Sequence, residues 1–246
     1  MAETSSVLGE GRQMPSFELP DEGGRRRKLL EYLDEGPVIL VFYREDWLPY
    51  CNGQLVSYAR SYDEFQKRGF KLVGISVEPL SRNVAMVEKL DLPFPLLSDP
   101  RGELIKRVGL WSKEEGVSMP AVVLLDKSGT VRYLYSGGTD FTDRPTKNSL
   151  LEILDRVSTD GEAGERGPEV RISAEEAETA TVRPDKPAMT LEQLRPYYLG
   201  AYYATIAVQK KLEDSGPEGK ASYKKVSDYQ ELINEYSEAL QETAQA

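Results

Sequence analysis

The chain's one cysteine is its candidate nucleophile. Cys51 ends the stretch Phe42-Tyr43-Arg44-Glu45-Asp46-Trp47-Leu48-Pro49-Tyr50-Cys51, after an apolar run over 37–43 and before an amphipathic helical pattern. A thiol in the first turn of a helix meets unpaired backbone N–H groups and about half a positive charge, which favour the thiolate and can lower its pKa well below the usual ~8.5. The same position suits a small buried apolar side chain, since free cysteine is among the most buried residue types. Position alone leaves both readings open. The chain has no histidine, which excludes Ser-His-Asp and Cys-His catalysis and leaves metal sites only carboxylates. No cofactor or metal is expected. A lone cysteine makes no internal disulfide, in keeping with a reducing compartment.

Hydrophobic residues make up 39% and charged residues 29% of 246 residues, enough for one ordinary core and a smaller second part. The net charge of −10 offers no basic face for nucleic acid beyond the short run Arg25-Arg26-Arg27-Lys28, which reads as the solvated edge of a strand or turn. The N-terminal residues have neither a basic nor an apolar leader pattern, and no segment approaches the roughly 20 apolar residues of a membrane span. A cytoplasmic protein without nucleic-acid or membrane partners is the expectation.

Apolar runs alternate with helical patterns as in α/β proteins. Strands are predicted over 37–43 and 70–77, a short extended piece over 94–99, and a hairpin of 121–125 with 130–135 around the turn Asp126-Lys127-Ser128-Gly129. Cys51, Leu55, Tyr58, Tyr62 and Phe65 line one face of a helix expected to run to Arg68-Gly69. Ser81 is read as the cap of a helix carrying Val84, Val87 and Leu90, another helix spans 100–108, and Leu150, Leu151 and Leu154 mark the last helix of this part.

In this order, several phrases resemble a known family: Met14-Pro15-Ser16-Phe17-Glu18-Leu19-Pro20-Asp21, Val41-Phe42-Tyr43 leading to Cys51, Gly74-Ile75-Ser76-Val77, Pro95-Leu96-Leu97-Ser98-Asp99, and Val117 to Pro120 followed by Leu125 to Gly129. Residues 9–157 resemble a peroxiredoxin-type domain, the alkyl hydroperoxide reductase/thiol-specific antioxidant branch of the thioredoxin superfamily. The resemblance implies a thioredoxin-like fold, a central mixed sheet flanked by helices, with Cys51 at the position of the peroxidatic cysteine. It implies a hydroperoxide substrate and an external thiol reductant. Arg44 takes the place of the family's proline seven residues before the cysteine, and Leu48 that of its threonine. A related subgroup carries Trp-Cys-Pro-Tyr-Cys where this chain has Trp47-Leu48-Pro49-Tyr50-Cys51, so the first cysteine of a dithiol pair is Leu48 here. Dithiol reduction is therefore unavailable, while peroxide reduction, which needs one thiolate, remains. The family's arginine before the strand at 121 is replaced by Pro120, which matches the proline that thioredoxins hold beside their active cysteine. Losing threonine and arginine removes preorganised donors. Arg44 either supplies the missing charge or pairs with Glu45 or Asp46. Trp47 and Tyr50 either shape the pocket or cover the core. Arg44, Trp47, Pro49, Tyr50 and Pro120 are the candidates for thiolate support or pocket.

From about residue 159 to 189 the chain becomes acidic and rich in glycine and proline (Gly161, Gly164, Gly167, Pro168, Pro184, Pro187), with one apolar run over 170–172, and reads as an extended linker lying across the first part. The divisions are thus 1–158, 159–189 and 190–246. Thr190 with Gln193 forms a capping-box pattern. Leu194, Tyr198, Ala201, Tyr202, Thr205, Val208 and Leu212 line one helix face, with Pro196 expected to kink or restart it. After a turn at 215–219, Tyr223, Val226, Tyr229, Ile233, Tyr236 and Leu240 line a second. This C-terminal α-helical hairpin must bury its seam on its own chain, on a second copy in a homo-oligomer, or on another protein. The expectation is a docking element outside the catalytic machinery. Three functions fit these features: a one-cysteine thiol peroxidase, an oxidoreductase of peroxiredoxin type; a redox-inactive or weakly active assembly module acting through the hairpin; and a thiol redox sensor.

Overall fold

The computed structural model describes residues 7–137, 142–161, 168–180, 186–213 and 216–245. Its strands are β1 (Phe17–Pro20), β2 (Arg26–Lys28), β3 (Val38–Phe42), β4 (Lys71–Ser76), β5 (Leu96–Ser98), β6 (Trp111–Ser112), β7 (Val117–Ser118), β8 (Ala121–Leu125), β9 (Val131–Ser136) and β10 (Val170–Arg171). Its helices are α1 (Leu29–Glu35), α2 (Pro49–Arg60), α3 (Tyr62–Lys67), α4 (Leu80–Leu90), α5 (Glu103–Arg107), α6 (Lys147–Leu154), α7 (Ala174–Glu178), α8 (Leu191–Leu212) and α9 (Pro217–Thr243). Gly164, Gly167 and Pro184 of the linker and Ser215 of the turn lie outside the described residues.

The central sheet has the order β5-β4-β3-β8-β9. Its first two pairings are parallel, and β3–β8 and β8–β9 are antiparallel, which makes the mixed sheet of a thioredoxin-like fold. β3 is buried along its whole length, so its alternation sorts side chains between two cores rather than between core and water. Val38, Leu40 and Phe42 join an aliphatic layer with Phe17, Leu19, Leu29, Ile105 and Val123. Ile39, Val41 and Tyr43 join a layer with Cys51, Leu55, Tyr58, Tyr198, Ile233 and Tyr236. Phe42 pairs with Ala121 of β8, so the chain leaves β3 toward Cys51 beside the point where Pro120 enters β8. Gly129, at φ +79°, closes the β8–β9 turn expected from Asp126-Lys127-Ser128-Gly129.

Arg26 to Lys28 form the partly exposed edge strand expected of them, in a small sheet β10-β1-β2. β10 adds in parallel to β1 and α7 follows it against the same domain, so the described part of the acidic segment lies across the first part of the chain. Four helical expectations are corrected. The helix after β3 starts at Pro49 and breaks at Ser61 into α2 and α3. Pro79, not Ser81, precedes α4. The helix expected over 100–108 is only α5, because the Asp99 carboxylate accepts from the N–H groups of Glu103 (2.8 Å) and Ile105 (3.0 Å) and starts it late. Pro196 sits inside a continuous α8, past its first turn, so the helix runs on with the single bond its N–H would have made to the Glu192 carbonyl missing. The capping box of Thr190 and Gln193 is present.

The hairpin's seam is buried on its own chain. α9 lies along both α8 and α2, and Leu232, Ile233, Tyr236, Ala239 and Leu240 are buried between them. Of the residues expected on the α8 seam, Leu194, Tyr198 and Thr205 are buried, whereas Val208 is exposed. Among the described residues, no helix is long and apolar enough to cross a membrane.

Candidate active site

Pro49 occupies the first position of α2, where its fixed φ suits a helix start and its missing N–H costs nothing. Cys51 follows two residues later, in the first turn. The loop before it is tied down from below: Asn52 Nδ2 donates to the carbonyls of Asp46 (2.8 Å) and Leu48 (2.9 Å), and the Asp46 N–H donates to the Glu78 carboxylate (2.9 Å). Arg82 pairs with Asp46 at 2.9 Å. Burial, and then the charge of Asp46, push the Glu78 carboxyl above the ordinary carboxylate range.

Cys51 has no exposed surface. The cation beside it is Arg144, in the segment leading into α6 and itself only 3% exposed. Arg144 Nη1 lies 3.8 Å from Cys51 Sγ and donates to the Tyr50 carbonyl (3.1 Å) and to Gln54 Oε1 (3.1 Å). Burial opposes the guanidinium's charge, but Cys51 and then Tyr236 favour it more, and Arg144 is held above its ordinary value. A guanidinium and a helix N-terminus therefore converge on one sulfur.

Arg144 was not singled out in the sequence. It stands 93 residues from Cys51. The readable signal was Arg144-Pro145-Thr146 ahead of Leu150: a residue before proline is held extended, and Thr146 caps α6 by accepting from the Ser149 N–H (3.2 Å). That fixes a stiff lead-in to a helix, but not which core it points toward.

Arg44, expected as one possible charge at Cys51, is instead drawn to the β6–β7 hairpin, where it pairs with Glu115 at 2.7 Å. Trp47 is half-buried beneath the Lys186 ammonium, 4.2 Å from its ring centroid, so it holds the described end of the acidic segment rather than the sulfur. The Pro49 carbonyl accepts from the Tyr198 hydroxyl at 2.7 Å. Tyr50 meets Tyr197 edge-on, and its hydroxyl bonds to that of Tyr229. Pro120 is buried at the start of β8, and its carbonyl accepts from the Gly137 N–H at 3.0 Å. Leu48 packs on the Cys51 core.

Every tyrosine partner just named on α8 or α9 belongs to the hairpin, which roofs the sulfur. Glu235 of α9 accepts from the Ser57 hydroxyl and from the Lys147 N–H (2.9 and 3.0 Å), so it clamps α2 to the start of α6 and fixes the segment that carries Arg144. A cavity of about 250 Å³ opens elsewhere, between α4 and the start of α8, lined by Asp46, Met86, Lys89, Met189 and Leu191. Cys51 does not line it.

Fold and site together define a thioredoxin-fold protein with a single thiol at the start of its first long helix. The chain belongs to the AhpC/TSA family, which it matches over residues 11–134. It is 34% identical over 140 residues to a chloroplastic peroxiredoxin Q of Triticum aestivum, a match covering 55% of this chain and 64% of that one. It is 28% identical over 130 residues to a peroxiredoxin of Aeropyrum pernix, covering 50% and 52%. Among solved structures, peroxidoxin BcpB of Mycobacterium tuberculosis superimposes with a TM-score of 0.55 at 26% identity, covering 60% of this chain and 97% of that one. The chain spans about three-fifths of the length of the peroxiredoxin Q relatives it matches. The family match contains Cys51 and Pro120 but neither Arg144 nor the hairpin.

Proposed function

We propose that this protein is a one-cysteine peroxidase that reduces hydroperoxides through Cys51 and is recycled by an external thiol. The observation that carries the reading is the buried Arg144 guanidinium 3.8 Å from a sulfur in the first turn of α2. The Cys51 thiolate attacks the terminal oxygen of ROOH. An S–O bond forms, the O–O bond breaks, sulfur gives up two electrons, and RO⁻ leaves to take a proton from solvent. The product is a sulfenic acid and an alcohol, or water when the substrate is hydrogen peroxide. One reductant thiol then displaces water to give a mixed disulfide, and a second releases the Cys51 thiol. Among the described residues Cys51 is the only cysteine, so both reducing equivalents come from outside. Because Cys51 has no exposed surface, a reductant reaches it after the hairpin shifts.

The lone cysteine also suits a reducing compartment such as the cytoplasm. A contact with a second copy or another protein would fall to the open side of α8, where Leu199, Tyr203 and Val208 are exposed. The test is hydrogen peroxide consumption by wild type and Cys51→Ser, with dithiothreitol, glutathione or thioredoxin as reductant. Turnover by wild type with at least one of these, and none by the variant, is expected. No consumption with any reductant would overturn the reading.

A further inference from the structure

Three buried proton-bearing atoms have no hydrogen-bond partner among the described residues: Nε and Nη2 of the Arg144 that meets Cys51, and the hydroxyl of Tyr236, whose ring packs at Gly53 two residues after Cys51. A buried donor left unpaired costs about 1–3 kcal/mol, so a cluster of them calls for a reason. The guanidinium is engaged through Nη1 alone, toward Cys51, the Tyr50 carbonyl and Gln54. Tyr236, on α9, lies within the electrostatic reach of the Arg144 guanidinium.

Its ring packs against the backbone of α2 at Gly53. A methyl group on Gly53 would stand 2.2 Å from Tyr236 Cδ2 and 2.8 Å from the Tyr198 hydroxyl, so the absence of a side chain two residues after Cys51 is what admits the ring. Tyr198 packs against it, with ring centroids 6.0 Å apart. The neighbouring phenols are all engaged: Tyr198 donates to the Pro49 carbonyl, Tyr58 to the Pro145 carbonyl, and Tyr50 bonds to Tyr229. Tyr236 is fully buried, and its hydroxyl is the one left over. Burial holds it as a neutral phenol, against the pull of Arg144, so it keeps a proton to donate.

We infer that Tyr236 is a catalytic residue supplied by the C-terminal hairpin, its hydroxyl acting with Arg144 Nε and Nη2 to hold the oxygens of a hydroperoxide over Cys51. This rests on the peroxidase reading above. In the step, the thiolate takes the terminal oxygen, and the Tyr236 O–H hydrogen-bonds the oxygen that leaves as RO⁻. The phenol keeps its own proton, and solvent supplies the one that completes ROH. A donor aimed at charge that develops only as the O–O bond breaks lowers the barrier without holding the ground state more tightly. The hairpin is then part of the active site, and residues 9–157 alone hold an incomplete one.

Tyr236→Phe removes only the unpartnered hydroxyl and keeps the ring on Gly53, so folding is not at stake. The full-length variant and wild type are compared by two rates at Cys51: sulfenic acid formation with hydrogen peroxide, trapped by dimedone, and alkylation by iodoacetamide, which breaks no O–O bond. Tyr32→Phe, which removes another buried unpartnered hydroxyl on the far layer, is the packing control. Oxidation of Tyr236→Phe is expected to fall about 10- to 100-fold, with alkylation within about twofold of wild type and Tyr32→Phe oxidised normally. Oxidation of Tyr236→Phe at the wild-type rate, or an equal slowing of both reactions, would overturn the assignment while leaving the peroxidase reading intact. A wild-type protein that forms no sulfenic acid would overturn the peroxidase reading, and this inference with it.

Discussion

The two layers on either side of the central sheet differ in the polar groups they bury. The layer with Phe17, Leu40 and Phe42 is closed by β1, α1 and α5, and its buried Asp99 carboxylate is satisfied by the N–H groups at the start of α5. The layer with Tyr43, Cys51 and Tyr58 is closed by a tyrosine-rich hairpin, and it holds a buried guanidinium and a buried phenol whose polar atoms are only partly engaged. Burying carbon stabilises a fold at roughly 25 cal/mol per Å² whatever its arrangement, whereas unpaired polar atoms weaken it. One layer is organised for stability. The other keeps reactive and donor groups away from water, where electrostatic interactions are strongest.

That contrast can be broken from either side. Phe17→Ala, on the first of these layers, is expected to cost about 3–5 kcal/mol of folding stability while leaving the oxidation rate of Cys51 in the folded protein unchanged; denaturant unfolding and a trapped-sulfenate assay read the two quantities. Arg144→Met, on the other layer, should do the reverse. Sulfenic acid formation should fall about 10²- to 10³-fold, as for loss of a preorganised donor, with a small change in stability, because the charge it removes is buried and poorly partnered. Equal effects of the two variants on both readouts would dissolve the distinction.

The junction between hairpin and helix gives smaller effects. Gly53→Ala drives a methyl into the Tyr236 ring and should lift the hairpin from α2, costing about 1–3 kcal/mol and speeding alkylation of Cys51 by iodoacetamide. An unchanged alkylation rate would mean that something other than the hairpin shields the sulfur. Glu235→Gln is expected to cost about 1–2 kcal/mol, and chiefly to alter pH dependence. Burial pushes the Glu235 carboxyl up, against the pull of Ser57 and Lys147. A group whose folded pKa is raised contributes stability that is full below the unfolded carboxylate range and is lost as pH rises through the folded value. Wild type should therefore lose stability relative to the glutamine variant over that rise, which urea titrations at several pH values would show.

Local patterns were legible where one rule decided them. The apolar run ahead of Cys51 became β3, Asp126 to Gly129 became a turn, and Thr190 with Gln193 became a capping box, each from neighbours in sequence. The position of Cys51 at a helix start was readable for the same reason. The groups around the sulfur were not. Arg144 comes from 93 residues away, through a lead-in whose stiffness shows in Arg144-Pro145 but whose direction is set by Tyr58 and Glu235. Arg44, adjacent in sequence to the active loop, was the more visible cation, yet Glu115 holds it elsewhere. The spacing of the α9 tyrosines marked a buried seam. It carried no sign that the seam would cover Cys51, because that depends on Gly53 leaving room for a ring.

Wild-type protein mixed with one equivalent of hydrogen peroxide in the presence of dimedone, and analysed by peptide mass spectrometry, is predicted to carry a single adduct, on Cys51, formed faster than on free cysteine at the same pH by on the order of a hundredfold or more. Absence of the adduct, or its formation no faster than on free cysteine, would contradict the claim that α2, Arg144 and the hairpin make Cys51 a site for hydroperoxides.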